Sequence, residues 1–228
     1  MELIIIIVAS IAIIIVNSMM KMNVKKLEQI ALNTELNEIV KKYPNNVEIC
    51  EYMLRKLENR TTKIEEDINS NSTLYMAVQD KILIGNTHES FSRIQTMAHE
   101  CLHSIQDKKM LLFNFIYSNL YLMYFFIICI LTIIKKLPNE TIYSDILLIL
   151  SFVYYVIRIY LENDAMIKAE YLAKEYMEEQ EIDSKDEIKK VLQGFKEINK
   201  GIIKGTNCGL FVKIMIKVVI FNTLSLIF

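Results

Sequence analysis

The chain has 228 residues, of which 53% are hydrophobic, and it carries a formal net charge of −1 at pH 7. A mean hydropathy of +0.27 is too apolar for an ordinary soluble domain and predicts membrane segments. The balanced charge and the lack of a basic patch interleaved with aromatic residues argue against a nucleic-acid partner.

The cysteines give a first indication of the redox setting. They are Cys50, Cys101, Cys129 and Cys208, and no two of them form a C-x-x-C pair. Such scattered positions are typical of reduced thiols rather than of a disulfide framework.

The first predicted element is an apolar run over residues 3–20, followed by Lys21, Lys25 and Lys26. Its length suits a helix that spans a bilayer. A cleaved signal peptide is the competing interpretation, but the opening Met-Glu supplies no basic n-region, and no small-x-small cleavage site follows the run. We therefore interpret it as a retained transmembrane anchor.

A mixed, polar stretch over 21–109 follows and indicates a small folded segment. Apolar residues at helical spacing predict one helix over Val24–Lys42, ended by Pro44, and another over Val47–Leu57. Both patterns are typical of helix faces that pack on a core.

Two extended stretches come next, over Ser72–Val78 and Lys81–Ile84. An edge strand at this point could pair with an extended peptide chain, whereas an ordinary hairpin is the equal alternative. Thr87 or Ser90 is placed to cap the helix that follows.

That helix carries the strongest chemical signal in the chain, the H-E-x-x-H motif that begins at His99. His99 and His103 lie one helical turn apart on one face, so that both imidazoles can reach a single zinc ion. Glu100 lies beside them, where it can act as general base on a zinc-activated water. Cys101 belongs to another face and is predicted to be a packing residue. The alternative is a helix with two unrelated histidines.

Two further apolar runs, over 110–134 and 142–161, predict transmembrane helices. A short polar loop that contains Pro138 separates them, which favours a helical hairpin. Charged sequence with a helical stripe begins at Glu162.

A helical segment is predicted over 162–206, on the same side of the membrane as the motif. Within it, Ser184 and Glu187 have the spacing of a capping box that opens a second helix. Gly201 and Gly205 are predicted to break that helix.

The last apolar run covers 209–228 and contains Lys213 and Lys217, which share a helical face. It is either a tilted span or an interfacial helix. The chain is thus predicted to have three to four transmembrane helices.

The predicted hairpin between 110 and 161 crosses the membrane twice, so the chain emerges at Glu162 on the same side as the histidines. Glu162 is therefore a candidate third ligand at the membrane surface. The basic residues that flank spans on this side are Lys21, Lys25, Lys26, Lys108, Lys109, Arg158 and Lys168. The opposite loop has Lys135 and Lys136. The positive-inside rule then places the site on the cytoplasmic face of the cell membrane.

At this point the chain resembles a known group, the membrane-bound neutral zinc metallopeptidases of the YugP type, distant relatives of HtpX-like peptidases. The stretch AHECLHSIQ (98–106) is close to the family pattern AHExGHAIQ, and LENDA (161–165) is close to EFDAS. VEICEYMLRKL and KILIGN give weaker support. The resemblance implies a gluzincin-like site in which His99, His103 and Glu162 bind zinc and Glu100 is the catalytic base.

The chain departs from the family at Leu102, where Gly is usual, and at Met166, where Ser is usual. Leu102 should face away from the metal. In related gluzincins the position of Met166 is often Asp, which orients a ligand histidine, and Met cannot do so. Asp164 is the alternative carboxylate, either in that supporting role or as the third ligand instead of Glu162.

The predicted fold class is mainly α: a multi-pass membrane protein with a small zincin-like α+β cytoplasmic part that carries the HExxH helix. The predicted function is zinc-dependent hydrolysis of peptide bonds in membrane-associated proteins or peptides. A donor to the oxyanion is also expected, with His88, Tyr171 or another tyrosine as candidates, although the pattern favours a loop or capping role for His88.

Two other functions compete with hydrolysis. One is a peptidase-like membrane protein that has lost catalysis and binds or scaffolds partners. The other is a transporter with its histidines in a pore, which fits poorly because His99 and His103 precede the apolar span rather than lying within it.

Overall fold

A computed structural model of the chain describes residues 1–20, 24–67, 69–86 and 90–228. Over these residues the protein is mainly helical, with eight helices and three short strands. The helices are α1 (Glu2–Met19), α2 (Val24–Ala31), α3 (Thr34–Lys41), α4 (Asn46–Lys56), α5 (Arg93–Ile105), α6 (Lys108–Ile133), α7 (Glu140–Gln180) and α8 (Lys185–Ile227). The strands are β1 (Lys63–Glu66), β2 (Leu74–Met76) and β3 (Lys81–Ile84).

Four of the described helices, α1, α6, α7 and α8, are long and apolar enough to cross a membrane. Each of the four predicted apolar runs falls on one of them. A membrane location is therefore compatible with the length and the composition of these helices.

The described residues divide into two compact units. One consists of Met1–Met22, Phe113–Tyr160 and Lys204–Phe228, and the other of Asn23–Leu112 and Leu161–Ile203. The HExxH helix α5 lies entirely in the second unit, as does the part of α7 that begins with Leu161.

The first unit is held together by an apolar core between α6, the first half of α7 and the second half of α8. Its buried members are Tyr121, Phe125, Ile128, Cys129, Leu147, Val218 and Phe221. A buried polar pair also joins two of these helices, because Asn222 Nδ2 donates a hydrogen bond of 2.9 Å to Ser144 Oγ. Buried polar groups in an apolar surrounding require such partners.

The two long C-terminal helices are more continuous than the sequence predicted. The apolar run 142–161 and the charged residues after it form the single helix α7. The predicted break at Gly201 and Gly205 is wrong, since α8 runs through both. At Gly201 a Cβ atom would lie 2.6 Å from Leu27 Cδ1. The residue thus permits close packing of α2 on α8 rather than ending the helix.

The single helix predicted over Val24–Lys42 is divided into α2 and α3. The Asn33 side chain accepts a hydrogen bond of 3.1 Å from the Leu36 N–H and thereby caps α3. An N-cap residue has extended rather than helical backbone geometry, so the chain turns at this point. The helix predicted over Val47–Leu57 is confirmed as α4, and the capping box at Ser184 and Glu187 is also confirmed.

The strands form one sheet with the order β1-β3-β2. The predicted strand Lys81–Ile84 is confirmed as the central strand β3. Within the predicted stretch Ser72–Val78, only Leu74–Met76 forms a strand, which is the antiparallel edge strand β2. The parallel strand β1 has no counterpart in the prediction. Its sequence, Lys-Ile-Glu-Glu, contains one apolar residue and therefore lacks an alternating pattern.

The N-terminal end of α5 is fixed by Arg93, which is 3% exposed. Its guanidinium donates hydrogen bonds to the carbonyls of Val40, Tyr43 and Pro44 and to Asn46 Oδ1, at 2.7 to 3.0 Å. These bonds tie α5 to the end of α3 and the start of α4. Arginine suits this role because its five donors are held in a rigid plane.

The N-cap position of α5 is not occupied by the predicted residue Ser90. The helix begins at Arg93, Ser92 occupies the N-cap position without a side-chain capping bond, and Ser90 Oγ lies 2.8 Å from Ser92 Oγ. Ser90 is therefore not the N-cap, and Thr87 lies outside the described residues.

Candidate metal centre

The two motif histidines meet on one face of α5. Their Nε2 atoms are 3.1 Å apart, and the rings are nearly perpendicular, at 84°. The opposite face of the helix is buried in the core of the second unit through Ile94, Met97, Ala98, Cys101 and Leu102. This burial fixes the rotation of α5, and the helical period then places both imidazoles on the other side.

Glu162 on α7 completes a cluster of three donors. Its Oε2 atom lies 3.6 Å from His99 Nε2 and 3.8 Å from His103 Nε2. The neighbours Leu161 and Ala165 are 2% and 0% exposed, so that packing also fixes the rotation of α7. The sequence predicted Glu162 as a candidate third ligand, and the structure brings its carboxylate to within 3.8 Å of both Nε2 atoms.

The donor set and its spacing fit a zinc ion. One atom from each of the three side chains lies within 4.8 Å of the other two. With zinc–ligand distances of about 2.0–2.1 Å in a tetrahedron, donor atoms are separated by about 3.3 Å. Two imidazoles and one carboxylate are also a set that leaves a fourth position open for water or substrate. The observed separations require small side-chain rotations to match this geometry.

Glu100 lies beside the cluster and is itself held in place by the sheet. Its Oε2 atom accepts a hydrogen bond of 2.6 Å from the backbone N–H of Tyr75 on β2, while Oε1 is 4.0 Å from His99 Nε2. Burial raises the pKa of the Glu100 carboxyl, and the carboxylate of Glu162 raises it further, against the opposing effect of the two imidazoles. A raised pKa makes a carboxylate a better proton acceptor.

The ring of His103 is oriented by Gln106, one turn further along the chain. Gln106 Nε2 donates to the Leu161 carbonyl at 2.9 Å and to Asp164 Oδ2 at 3.2 Å, so its Oε1 atom faces His103 Nδ1 at 2.8 Å. Because that oxygen can only accept, the Nδ1 atom carries the proton and the Nε2 lone pair is free for a metal. Although burial lowers the pKa of His103, Glu162 and Glu100 raise it above its ordinary value.

The structure assigns Asp164 to a supporting position. Its carboxylate contacts Gln106 and forms an ion pair of 2.6 Å with Lys168, whereas Glu162 is the carboxylate of the donor cluster. The two carboxylates that the sequence left as alternatives thus have different positions. Gln106 had no role in the sequence-based prediction, although its spacing of three residues from His103 is the signal that it shares a helical face.

The second imidazole, His99, is held differently. Its Nδ1 atom is buried and has no hydrogen-bond partner among the described residues. Met166, one turn beyond Glu162 on α7, stands where related gluzincins often have an orienting carboxylate, and its side chain lies with His99 in the wall of a pocket. The orientation of His99 therefore depends on packing.

The other sequence-based residues have clear positions. Leu102 is 6% exposed in the core, as predicted, and Cys101 is also buried there, with its Sγ atom 3.8 Å from the Cys50 carbonyl. Tyr171 is 68% exposed and lies nine residues beyond Glu162, about 13.5 Å along the helix axis, so it is not brought to the cluster. His88 lies outside the described residues.

We expect the Gln106→Leu substitution to weaken zinc binding about 10- to 100-fold, because His103 loses the acceptor that fixes its tautomer. A competitive titration with a chromophoric chelator measures this affinity. Gln193→Leu is the matched control, since that residue is exposed on α8. Equal zinc affinity for the Gln106→Leu variant and the unmodified chain would contradict the assigned role.

Comparison with known proteins adds no relative. No family model matches the sequence, and no curated protein or solved structure matches it either. The functional conclusion therefore depends on the motif, the resemblance of two short stretches and the geometry of the cluster.

Proposed function

We propose that the protein is a membrane-bound zinc metallopeptidase that hydrolyses peptide bonds of membrane-associated proteins or peptides. The observation that carries the proposal is the convergence of His99, His103 and Glu162 within 4.8 Å, with Glu100 beside them. The HExxH spacing and the resemblance to the YugP-type peptidases point to the same chemistry.

The roles of the side chains follow from their contacts. Zinc, when bound, would polarise the substrate carbonyl and lower the pKa of a water molecule towards neutrality. That water could then lose a proton and attack the carbonyl carbon at neutral pH. Glu100 Oε2 is held by the Tyr75 N–H, so Oε1 is the atom free to accept the proton of the attacking water and to deliver it to the leaving nitrogen. Gln106 keeps the His103 Nε2 atom available to the metal throughout.

The sheet supports a zincin-like interpretation of the second unit. β2 is an edge strand, and its residue Tyr75 contacts the glutamate of the metal helix. An extended substrate that pairs with this edge would lie along the donor cluster. The Tyr75 N–H already donates to Glu100. A substrate would therefore pair with other backbone groups on this edge of β2.

The proposed location is the cytoplasmic surface of the cell membrane. Four helices have the length and composition of membrane spans. Glu162 directly follows the apolar run 142–161 within α7, and His103 precedes the start of α6 by five residues. Ligands so close to apolar helices favour substrates that are themselves at the membrane. The cytoplasmic side is inferred from the distribution of Lys and Arg.

Purification of the full chain in detergent, with zinc quantification and a casein or membrane-peptide cleavage assay on one sample, tests the proposal. We expect about one zinc per chain and cleavage that is lost on chelation and restored by zinc. Protein that holds zinc without cleaving any of these substrates would support the competing function, a catalytically inactive scaffold. Protein that holds no zinc would contradict both the metal site and the enzyme.

A further inference from the structure

A pocket of about 110 Å³ opens next to His99 within the second unit. Its walls come from α5, α7 and α8. The lining residues are Ser92, Gln95, Thr96, His99, Met166, Ala169, Ile198, Asn199 and Ile202. The pocket has no role in the proposed zinc binding, but His99 belongs both to the donor cluster and to the wall of the pocket.

From His99, the pocket extends about one helical turn beyond the donor cluster along both of the helices that supply ligands. Thr96 precedes His99 by three residues on α5, and Met166 follows Glu162 by four on α7. Each offset corresponds to about 5 Å along a helix axis. Neighbouring Cα atoms of a peptide are about 3.8 Å apart. The side chain of a residue next to a carbonyl held at the donor cluster could thus span the distance to the pocket.

The composition of the walls restricts what the pocket can hold. Met166, Ala169, Ile198 and Ile202 supply apolar surface, and none of the described lining residues is Asp, Glu, Lys or Arg. A charged side chain would lose its hydration here without finding an opposite charge, which is costly. An apolar side chain gains from the same transfer.

The size of the pocket further restricts the kind of side chain that it can hold. A protein cavity of about 150 Å³ accommodates benzene, so a pocket of about 110 Å³ fits an aliphatic side chain more closely than a phenyl ring. The walls are also fixed relative to each other. Asn199 on α8 donates hydrogen bonds of 2.9 Å to the Met166 carbonyl and 2.7 Å to Glu170 Oε1 on α7.

We infer that this pocket receives the side chain of the substrate residue adjacent to the scissile bond and selects aliphatic over aromatic and charged residues. The inference rests on the proposed peptidase function and adds its substrate preference. Met166, which departs from the resembled family, is then a specificity-determining residue at the wall of the pocket.

The test begins with cleavage of a defined peptide mixture by the zinc-loaded full chain, with the cut sites mapped by mass spectrometry. We expect Leu, Ile, Val or Met at one of the two positions that flank the cut, with kcat/KM about tenfold or more above that of the matched Phe peptide. The Met166→Ala variant enlarges the pocket and should reduce the Leu-to-Phe ratio to about threefold or less. Ala169→Val fills the pocket and should lower kcat/KM for Leu peptides while sparing Ala peptides.

A binding measurement separates recognition from catalysis. The zinc-loaded Glu100→Gln protein should bind the Leu peptide more tightly than the matched Phe peptide. The double variant that carries both Glu100→Gln and Met166→Ala should bind the two peptides with equal affinity. Ile167→Ala is the control, because it truncates the neighbouring side chain of α7, which is 52% exposed and does not line the pocket.

The outcomes distinguish the two proposals. Cleavage without a preference at either flanking position, or a Leu-to-Phe ratio that Met166→Ala leaves unchanged, would overturn the assignment of the pocket and leave the peptidase function intact. Failure of the zinc-loaded chain to cut any peptide would overturn the peptidase function and the assignment with it.

Discussion

The Glu100→Gln variant should retain about one zinc per chain and lose peptide hydrolysis, by a factor of about 10² to 10⁴. Glutamine has nearly the volume of glutamate and keeps an oxygen that accepts the hydrogen bond from the Tyr75 N–H. It cannot accept the proton of the attacking water. The variant therefore removes one chemical step and leaves the cluster of His99, His103 and Glu162 in place.

Zinc content and kcat/KM on the same detergent-purified sample measure the two effects. Glu178→Gln is the matched control, since Glu178 is an exposed residue of α7 whose side chain forms a surface ion pair of 3.8 Å with Lys174. We expect unchanged activity for that variant. Undiminished cleavage by Glu100→Gln would rule out the proposed mechanism, whatever the zinc content.

The second large effect is expected for His103→Ala, which should lose stoichiometric zinc and, with it, all hydrolysis. His103 supplies one of the three donor atoms, and its Nε2 atom lies 3.1 Å from that of His99 and 3.8 Å from Glu162. The remaining imidazole and carboxylate are one ligand short of the three that a catalytic zinc site takes from the protein. Gln106 would also lose its partner at Nδ1.

Metal analysis of the purified variant, together with far-UV circular dichroism to confirm helical folding, measures this effect. His88→Ala is the informative control because His88 is the one histidine of the sequence outside the H-E-x-x-H motif. That variant should retain zinc, since the proposed ligands are His99, His103 and Glu162. A His103→Ala protein that still holds about one zinc would place the metal elsewhere.

Local helical geometry explains which parts of the site were predictable. The spacing of His99 and His103 determines that they share a face of any α-helix, independently of the rest of the fold. The capping box at Ser184 and the apolar runs are equally local patterns, read from residues close together in the chain. The four apolar runs and the motif helix were predictable for this reason, whereas the continuity of α7 and α8 was not.

Contacts between distant parts of the chain explain what was missed. The hydrogen bond from Gln106 to Asp164 joins residues 58 positions apart, and no local pattern indicates it. Gly201 was interpreted as a helix breaker because its contact with Leu27 on α2 is invisible in the sequence. β1 contains a single apolar residue and exists through its pairing with β3.

The amino-acid sequence by itself determined the donor types, the pairing of two imidazoles on one helical turn and the long apolar runs. These follow from the helical period and from side-chain chemistry. Only the tertiary structure decided that Glu162 rather than Asp164 faces the imidazoles, that Gln106 orients His103, and that a small apolar pocket lies beside His99. The packing of α5, α7 and α8 sets those positions, because it fixes the rotation of each helix about its own axis.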